Sequence, residues 1–356
     1  MRAFKRILAA AIVSAALATG STAQAATTGV VQSYDTYKSW LVACDNTLVC
    51  VAKGVSESEP PAEIRITRQP GGPGDILMEI RSGARFTLSD VRIDGKPVIL
   101  AKSAWRIGSD HETTTATSRD LSTIRTLVGR LRNAEKLTIG KEGDVQLDGF
   151  AAAILRLDDR QGRIGGVTSI ARPGPTDASR VTSGPSMPRI PARPITETLA
   201  STEALRLIKL VRSTQKPVFA KEDCQSETRP MEAEAYALDA RRAIVFIPCL
   251  MGAYQGSSLA FIAERNGTAV SRLSAPAPFL GHDPHESVVD EFTEGDFDPK
   301  TGMLTMVAKG RGLGDCGFSA SWIWNGQAMV LISMTYQDAC GGVEAGDWPT
   351  LFRSVQ

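Results

Sequence analysis

The chain has 356 residues, with 40 Lys and Arg against 39 Asp and Glu, a formal charge of +1. Without Met1 to Ala25, which carry Arg2, Lys5 and Arg6 and no acid, 331 residues remain with 37 bases and 39 acids, net −2. That balance excludes the concentrated basic face of a nucleic-acid binder, and 42% hydrophobic with 22% charged residues excludes disorder, coiled coil and collagen. The length accommodates two domains of ordinary size, each with its own core.

Residues 1–25 read as a secretory signal peptide. A basic stretch ending at Arg6 precedes an apolar run from Ile7 to Thr19, and Ala23-Gln24-Ala25 supplies small residues for cleavage after Ala25. The run is well short of the ~20 residues needed to span a bilayer, and no later segment approaches that length. The expectation is an exported, periplasmic protein without a membrane span.

Residues 26–171 read as a mixed α/β domain. Glu63 to Thr67 alternates as a strand does, and Ile76 to Ile80 follows the turn cluster Pro70 to Gly74. Phe86 to Leu88 and Val91 to Ile93 lead to Asp94-Gly95, a hairpin signal, and then to Pro97–Leu100. Asp120 to Asn133 is helical by the spacing of Leu121, Ile124, Leu127, Val128 and Leu131, with Asp120 or Ser118 as its cap. A second helix covers Gly149 to about Arg160, with Ala152, Ala153, Leu155 and Leu157 on its apolar side. Residues 172–196 hold Pro173, Pro175, Pro185, Pro188, Pro191 and Pro194 and read as an extended linker. Residues 197–356 read as a mainly antiparallel β domain, a sandwich or barrel. It opens on a short helix, Ser201 to Val211, capped by Ser201 or Thr202. Its strands are Ala243–Cys249, Leu259–Glu264, Ala269–Leu273, Met303–Ala308, Phe318–Trp324 and Met329–Thr335, with hairpin turns at Asn266-Gly267 and Asn325-Gly326. The class is therefore α+β, stapled by disulfides.

Six cysteines, an even number, suit an oxidising compartment. Sequence order favours Cys44–Cys50, Cys224–Cys249 and Cys316–Cys340. The first closes a tight loop over Asp45-Asn46-Thr47, and each bridge is expected to stabilise by about 2–4 kcal/mol. No C-x-x-C is present and no histidine adjoins a cysteine, so no cysteine-based metal site and no cofactor is expected.

Several catalytic signatures appear only as fragments. Ser213-Thr214-Gln215-Lys216 and Lys300-Thr301-Gly302 follow the order of penicillin-recognising enzymes, but Pro217 disfavours one helix through the serine and lysine. Gly312-Leu313-Gly314-Asp315-Cys316-Gly317 spells G-x-G-x-x-G, yet a strand follows where a dinucleotide site needs a helix. That loop reads as a wide turn, with a ligand-facing role for Lys309, Arg311 and Asp315 as the sharper alternative. Trp322 and Trp324 share one strand face, as core or as an aromatic recognition surface. His282 and His285, with Asp290 nearby, form the one candidate metal or hydrolase set.

Trp40 with Cys44-Asp45-Asn46 and Cys50, Val245 to Tyr254, Lys309 to Gly317, Trp322-Ile323-Trp324-Asn325-Gly326 and Trp348 to Arg353 together resemble domain of unknown function family 1176, a group of exported Gram-negative bacterial proteins. The resemblance implies a periplasmic location and brings no activity or catalytic residue. Leu147 to Ala153 is also similar to a segment of the invasion-associated locus B family. The expected function is a non-catalytic binding or envelope-maintenance module acting on an unidentified envelope ligand or protein. Its ligand residues are expected to be Lys309, Arg311, Asp315, Trp322 and Trp324, and the alternative is a hydrolase built on His282 and His285.

Overall fold

The computed structural model describes residues 31–56, 59–110, 112–225, 228–278 and 287–356, so residues 1–30, His111, His282 and His285 lie outside them. The fold is mostly β, with several antiparallel sheets and three disulfides. Strands β1 (Ser33–Tyr37), β2 (Trp40–Cys44), β3 (Cys50–Val55), β4 (Ala62–Arg68) and β5 (Ile76–Ser82) form a meander. The hairpin β6 (Val91–Ile93) and β7 (Lys96–Pro97) leaves it. Strands β8 (Arg106–Ser109) and β9 (Thr114–Ser118) then return, giving seven antiparallel strands in the order β1-β2-β3-β4-β5-β9-β8. After α1 (Leu121–Leu131), β10 (Lys136–Ile139) and β11 (Gly143–Gln146) extend the hairpin into a four-stranded sheet, and α2 (Phe150–Arg160) follows.

The chain continues through α3 (Ser201–Thr214) and α4 (Lys216–Lys221) to a sheet of β12 (Glu234–Ala237), β13 (Arg242–Met251), β14 (Gly256–Glu264) and β15 (Val270–Arg272). Strand β16 (Ala275–Pro276) pairs with β17 (Val288–Val289), and β18 (Phe292–Thr293) pairs with β14. Finally β19 (Asp296–Asp298), β20 (Met303–Lys309), β21 (Gly317–Trp324), β22 (Met329–Gln337) and β23 (Thr350–Arg353) make an antiparallel sheet in chain order.

Period-two alternation explains how these layers share cores. On β2, Trp40, Val42 and Cys44 join one cluster with Ile64, Met78, Ile124, Phe150 and Leu157. Leu41 and Ala43 point the other way and join Leu304, Met306, Trp322 and Leu351. Strand β2 is thus buried on both faces, which requires an apolar residue at every position. Strand β13 does the same: Val245 and Ile247 meet Leu207 and Val211 of α3, while Ile244 and Phe246 face the second cluster.

Local chemistry sets the boundaries. Asp120 caps α1, its Oδ1 accepting from the Thr123 amide at 2.7 Å. Asp94 and Gly95 both take positive φ, as a two-residue hairpin demands. Phe86–Leu88, expected to be extended, instead enters a 3₁₀ turn over Leu88–Asp90, because Asp90 Oδ2 accepts from both the Thr87 amide and hydroxyl. Helix α3 begins at Ser201 with Ala200 before it, so neither Ser201 nor Thr202 acts as the cap. Lys216 starts a separate helix after Gln215, which removes the S-x-x-K reading. All three disulfides join the expected pairs.

The proline-rich segment is tied down along much of its length. Thr182 accepts from Gly71, the Thr47 carbonyl oxygen lies 1.9 Å from where a Gly184 Cβ would stand, and Ile190 and Pro188 exchange backbone bonds with Val355. Residues on both sides of 172–196 are therefore strapped together by a peptide that forms no sheet of its own.

Helix α2 docks through its first residues: Trp40 donates its indole N–H to the Gln146 carbonyl at 2.9 Å and meets Phe150 edge-on, ring centroids 4.8 Å apart. The preceding Gly149 has φ of 93°, and a Cβ there would lie 1.8 Å from the Tyr37 carbonyl oxygen. Gly149→Ala is expected to cost about 2–4 kcal/mol, combining left-handed strain with a backbone clash. Gly95→Ala, with similar φ but open space, should cost only about 1–2 kcal/mol. Equal losses in urea denaturation of the two variants would contradict the clash.

Candidate functional site

Gly310 to Cys316 joins β20 to β21 and is closed by the Gly310 amide on the Cys316 carbonyl and by the Cys316–Cys340 bridge. Arg311 forks onto Asp315, Nε to Oδ1 at 2.8 Å and Nη2 to Oδ2 closer still. This contact holds the Asp315 carboxyl below its ordinary range. Lys309 is exposed, and its backbone exchanges two bonds with the Gln255 side chain. Asp315 lies near Cys316 and Cys340, but both sulfurs are bonded to each other and neither is a free thiolate for a metal.

The tryptophans are elsewhere. In the β20–β21 pairing Lys309 faces Gly317, whereas Ile323 faces Met303 at the other end, roughly 20 Å away along the strand. Trp322 is fully buried, donating its indole N–H to the Pro276 carbonyl at 2.7 Å, and Trp324 is buried beneath the Arg242 guanidinium at 4.7 Å. The expectation that Trp322 and Trp324 form a recognition surface with Lys309, Arg311 and Asp315 is therefore corrected. The period-two face was right, but it is the core face. Asp290, of the histidine-based alternative, sits 3.5 Å from Arg272.

Two constellations absent from the sequence reading emerge instead. The first is a buried charge network between the faces of β3–β5 and the segment 337–347. Glu63 is completely buried and meets Lys53 at 3.3 Å, Arg65 at 3.1 Å and Arg81 at 2.8 Å. Asp347 takes a bidentate fork from Arg65, at 3.0 and 2.6 Å, and a further bond from Arg81 at 2.6 Å. Arg81 reaches Glu344, and Lys53 donates to Gln337 Oε1 at 2.9 Å. Burial would push the Glu63 carboxyl up, but the three cations outweigh it and hold it below its ordinary value. Asp347 is likewise driven down to about 2 against its own desolvation, chiefly by Arg65. Lys53 is pushed down because desolvation of its ammonium exceeds what the shared carboxylate returns.

The second is a groove of about 550 Å³ where β1 meets the final sheet. Its apolar lining comes from Met306 of β20, Phe318 of β21, and Met334 and Tyr336 of β22, closed on one side by Val288 and Val289. The register explains the grouping: Phe318 pairs with Tyr336, and Ala320 stands between Met306 and Met334, its small side chain leaving depth. Tyr34 packs on Tyr336 with centroids 4.7 Å apart and donates its hydroxyl to Asp338 Oδ1 at 2.5 Å. Burial, reinforced by Asp338, pushes the Tyr34 hydroxyl far up, so it is a fixed donor and no base. Asp290, Glu291 and Asp338 edge the groove, and none of the described residues lining it is basic. Glu291 accepts from the Ser257 hydroxyl. An apolar body and a positive head would both be complemented here.

Comparison with known proteins places this geometry in context. The model of a family described as protein of unknown function (DUF1176) matches residues 34–354. The chain is similar to an uncharacterized protein of Escherichia coli K12, YpfG, at 26% identity over 328 residues, covering 89% of this chain and 91% of the relative. No solved structure matches.

The charge network generates a pH signature. A carboxylate whose folded pKa is depressed contributes stability above its unfolded pKa and loses it as pH falls, so the Asp347 contribution should fade between about pH 4 and 2. Asp347→Asn should cost about 3 kcal/mol at pH 7, since Arg65 and Arg81 lose their shared acceptor. The gap from wild type should narrow steadily through that acid window in urea midpoints. A gap constant down to pH 2.5 would contradict the linkage.

Proposed function

We propose a periplasmic binding role, non-catalytic and in the service of the envelope, for this chain, which belongs to the DUF1176 family of proteins of unknown function. Three disulfides suit an oxidising compartment, and none of the described helices is long and apolar enough to cross a membrane. Residues 1–25 act in this reading as the cleaved leader, and the segment 172–196 links a 26–171 part to a 197–356 part that share the core at Leu41 and Ala43.

The observation that carries the reading is the groove at Tyr34 and Tyr336: an apolar, methionine-containing trough edged by three carboxylates without a basic neighbour in its described lining. Tyrosine faces and carboxylates attract a desolvated cation, by about 2 kcal/mol for the aromatic part. Methionines adapt to an irregular alkyl body. The ligand class is a cationic amphiphile, with the ammonium at Asp338 and its chain over Met306 and Met334. Catalysis has no comparable support here, because Tyr34 is locked as a donor to Asp338 and Asp290 is paired with Arg272.

Calorimetric titration with dodecyltrimethylammonium below its micelle concentration tests this. Binding is expected at one site, weakened at least about tenfold by Tyr336→Ala or Asp338→Asn. No binding, or equal affinity in wild type and both variants, would overturn the assignment. Zinc added in place of the amphiphile reports on His282 and His285: heat release lost in a His282→Ala, His285→Ala variant would favour the hydrolase instead.

A further inference from the structure

A second cleft, of about 340 Å³, opens between α1 and α2 and has the opposite polarity. Its floor is apolar and buried, made by Val128, Phe150, Ile154 and Ile170. Every ionisable side chain lining it is an arginine: Arg125, Arg132 and Arg172. Arg125 spends its Nε and Nη2 on the carbonyls of Ser169 and Val167, which fixes the guanidinium at the rim. Arg132 and Arg172 have no side-chain hydrogen bond or ion pair among the described residues. By contrast Arg156 and Arg160 on the far side of α2 are engaged, by Asp35 and by the Val31 carbonyl. The first turn of α2, Phe150 to Ala152, also borders the cleft, so the positive end of an eleven-residue helix adds to the same field.

The spacing on α1 is equally specific. Arg125 and Gly129 stand at i and i+4 on α1, and Arg132, the C-cap that keeps helical backbone angles, follows at i+7 on the same stripe. Gly129 is in the last turn of the helix, where glycine costs up to about 1 kcal/mol relative to alanine. A Cβ built there would have nothing within 4 Å, so no packing requirement of the protein itself asks for glycine. What the missing side chain provides is room in the cleft between two cations.

We infer that this cleft binds a free fatty carboxylate, its alkyl chain on the Phe150–Ile154–Ile170 floor and its carboxylate at Arg132 and Arg172. The volume is within the usual range for small-molecule sites, and the all-cationic rim over an apolar floor is complementary to an anionic amphiphile and repels a cationic one. This site is independent of the tyrosine groove and survives if that assignment fails.

Laurate, with an alkyl chain one carbon shorter than that of dodecyltrimethylammonium and the opposite charge, is the probe. Titrated into the purified full chain, it should bind at one site, about tenfold more weakly in Arg132→Gln, Arg172→Gln, the factor expected from losing a charge-assisted bond. Gly129→Leu should block it comparably while raising or preserving the thermal midpoint, since the new side chain enters open space and removes a helix glycine. Tyr336→Ala should leave laurate affinity unchanged. The inference fails if laurate does not bind wild type, if the Gly129 and arginine variants bind it equally well, or if Tyr336→Ala abolishes it. It also fails if inorganic phosphate displaces laurate at equal concentration, which would mark an anion site without an acyl seat.

Discussion

A carboxylate with no exposed surface cannot stay charged alone, and Glu63 is such a carboxylate at the centre of this molecule. Its solvation is replaced by Lys53, Arg65 and Arg81, drawn from adjacent strands β3, β4 and β5. Three cations on one acid would leave excess positive charge buried; Asp347 and Glu344, nearly three hundred residues later, supply the balance. Neither the N-terminal sheet nor the C-terminal segment is electrostatically complete without the other. Removing one member leaves its partners desolvated and uncompensated, so the network specifies how the two parts of the chain meet.

That requirement propagates to the surroundings. Segment 337–347 must approach Glu63 closely, and at Gly342 a Cβ would stand 2.8 Å from Glu63 Oε2. Gln337, accepting from Lys53, donates to the carbonyls of Asp315, Ala339 and Gly341 and so shapes the turn beside the Cys316–Cys340 bridge. The next residue, Asp338, accepts the Tyr34 hydroxyl and defines one edge of the groove. The geometry of the groove thus rests on the network one residue away, and the glycine-rich loop at Gly310–Cys316 belongs to this scaffold. Its arginine and aspartate neutralise each other.

The two clefts show how a chain of nearly zero net charge can still carry strong local fields. One places carboxylates around tyrosines and methionines at the seam of β1 and the last sheet; the other places guanidinia around the α1–α2 floor. Overall composition, at +1, reports neither.

What the sequence by itself determined is whatever depends on neighbours within a few positions. The Asp120 cap, the Asp94-Gly95 and Asn325-Gly326 turns, the amphipathic stripe of α1, and the long strands β13, β20, β21 and β22 were all legible, as was the cysteine pairing by order; α2 was legible as a helix, but it buries Phe150, Ala153, Ile154 and Leu157 and leaves Ala152 exposed. Strands β1 to β3 were missed: β2 is buried on both faces and shows no alternation to read, and β3 buries Lys53 where a charged residue reads as solvent-facing. The shared face of Trp322 and Trp324 was visible, but whether that face met solvent or a core was not, since periodicity says nothing about what packs opposite. Tertiary structure alone decided the Glu63–Asp347 network and the Tyr34–Tyr336 pair, whose members are separated by some three hundred residues. Their meaning lies in distance and desolvation, and a linear pattern encodes neither.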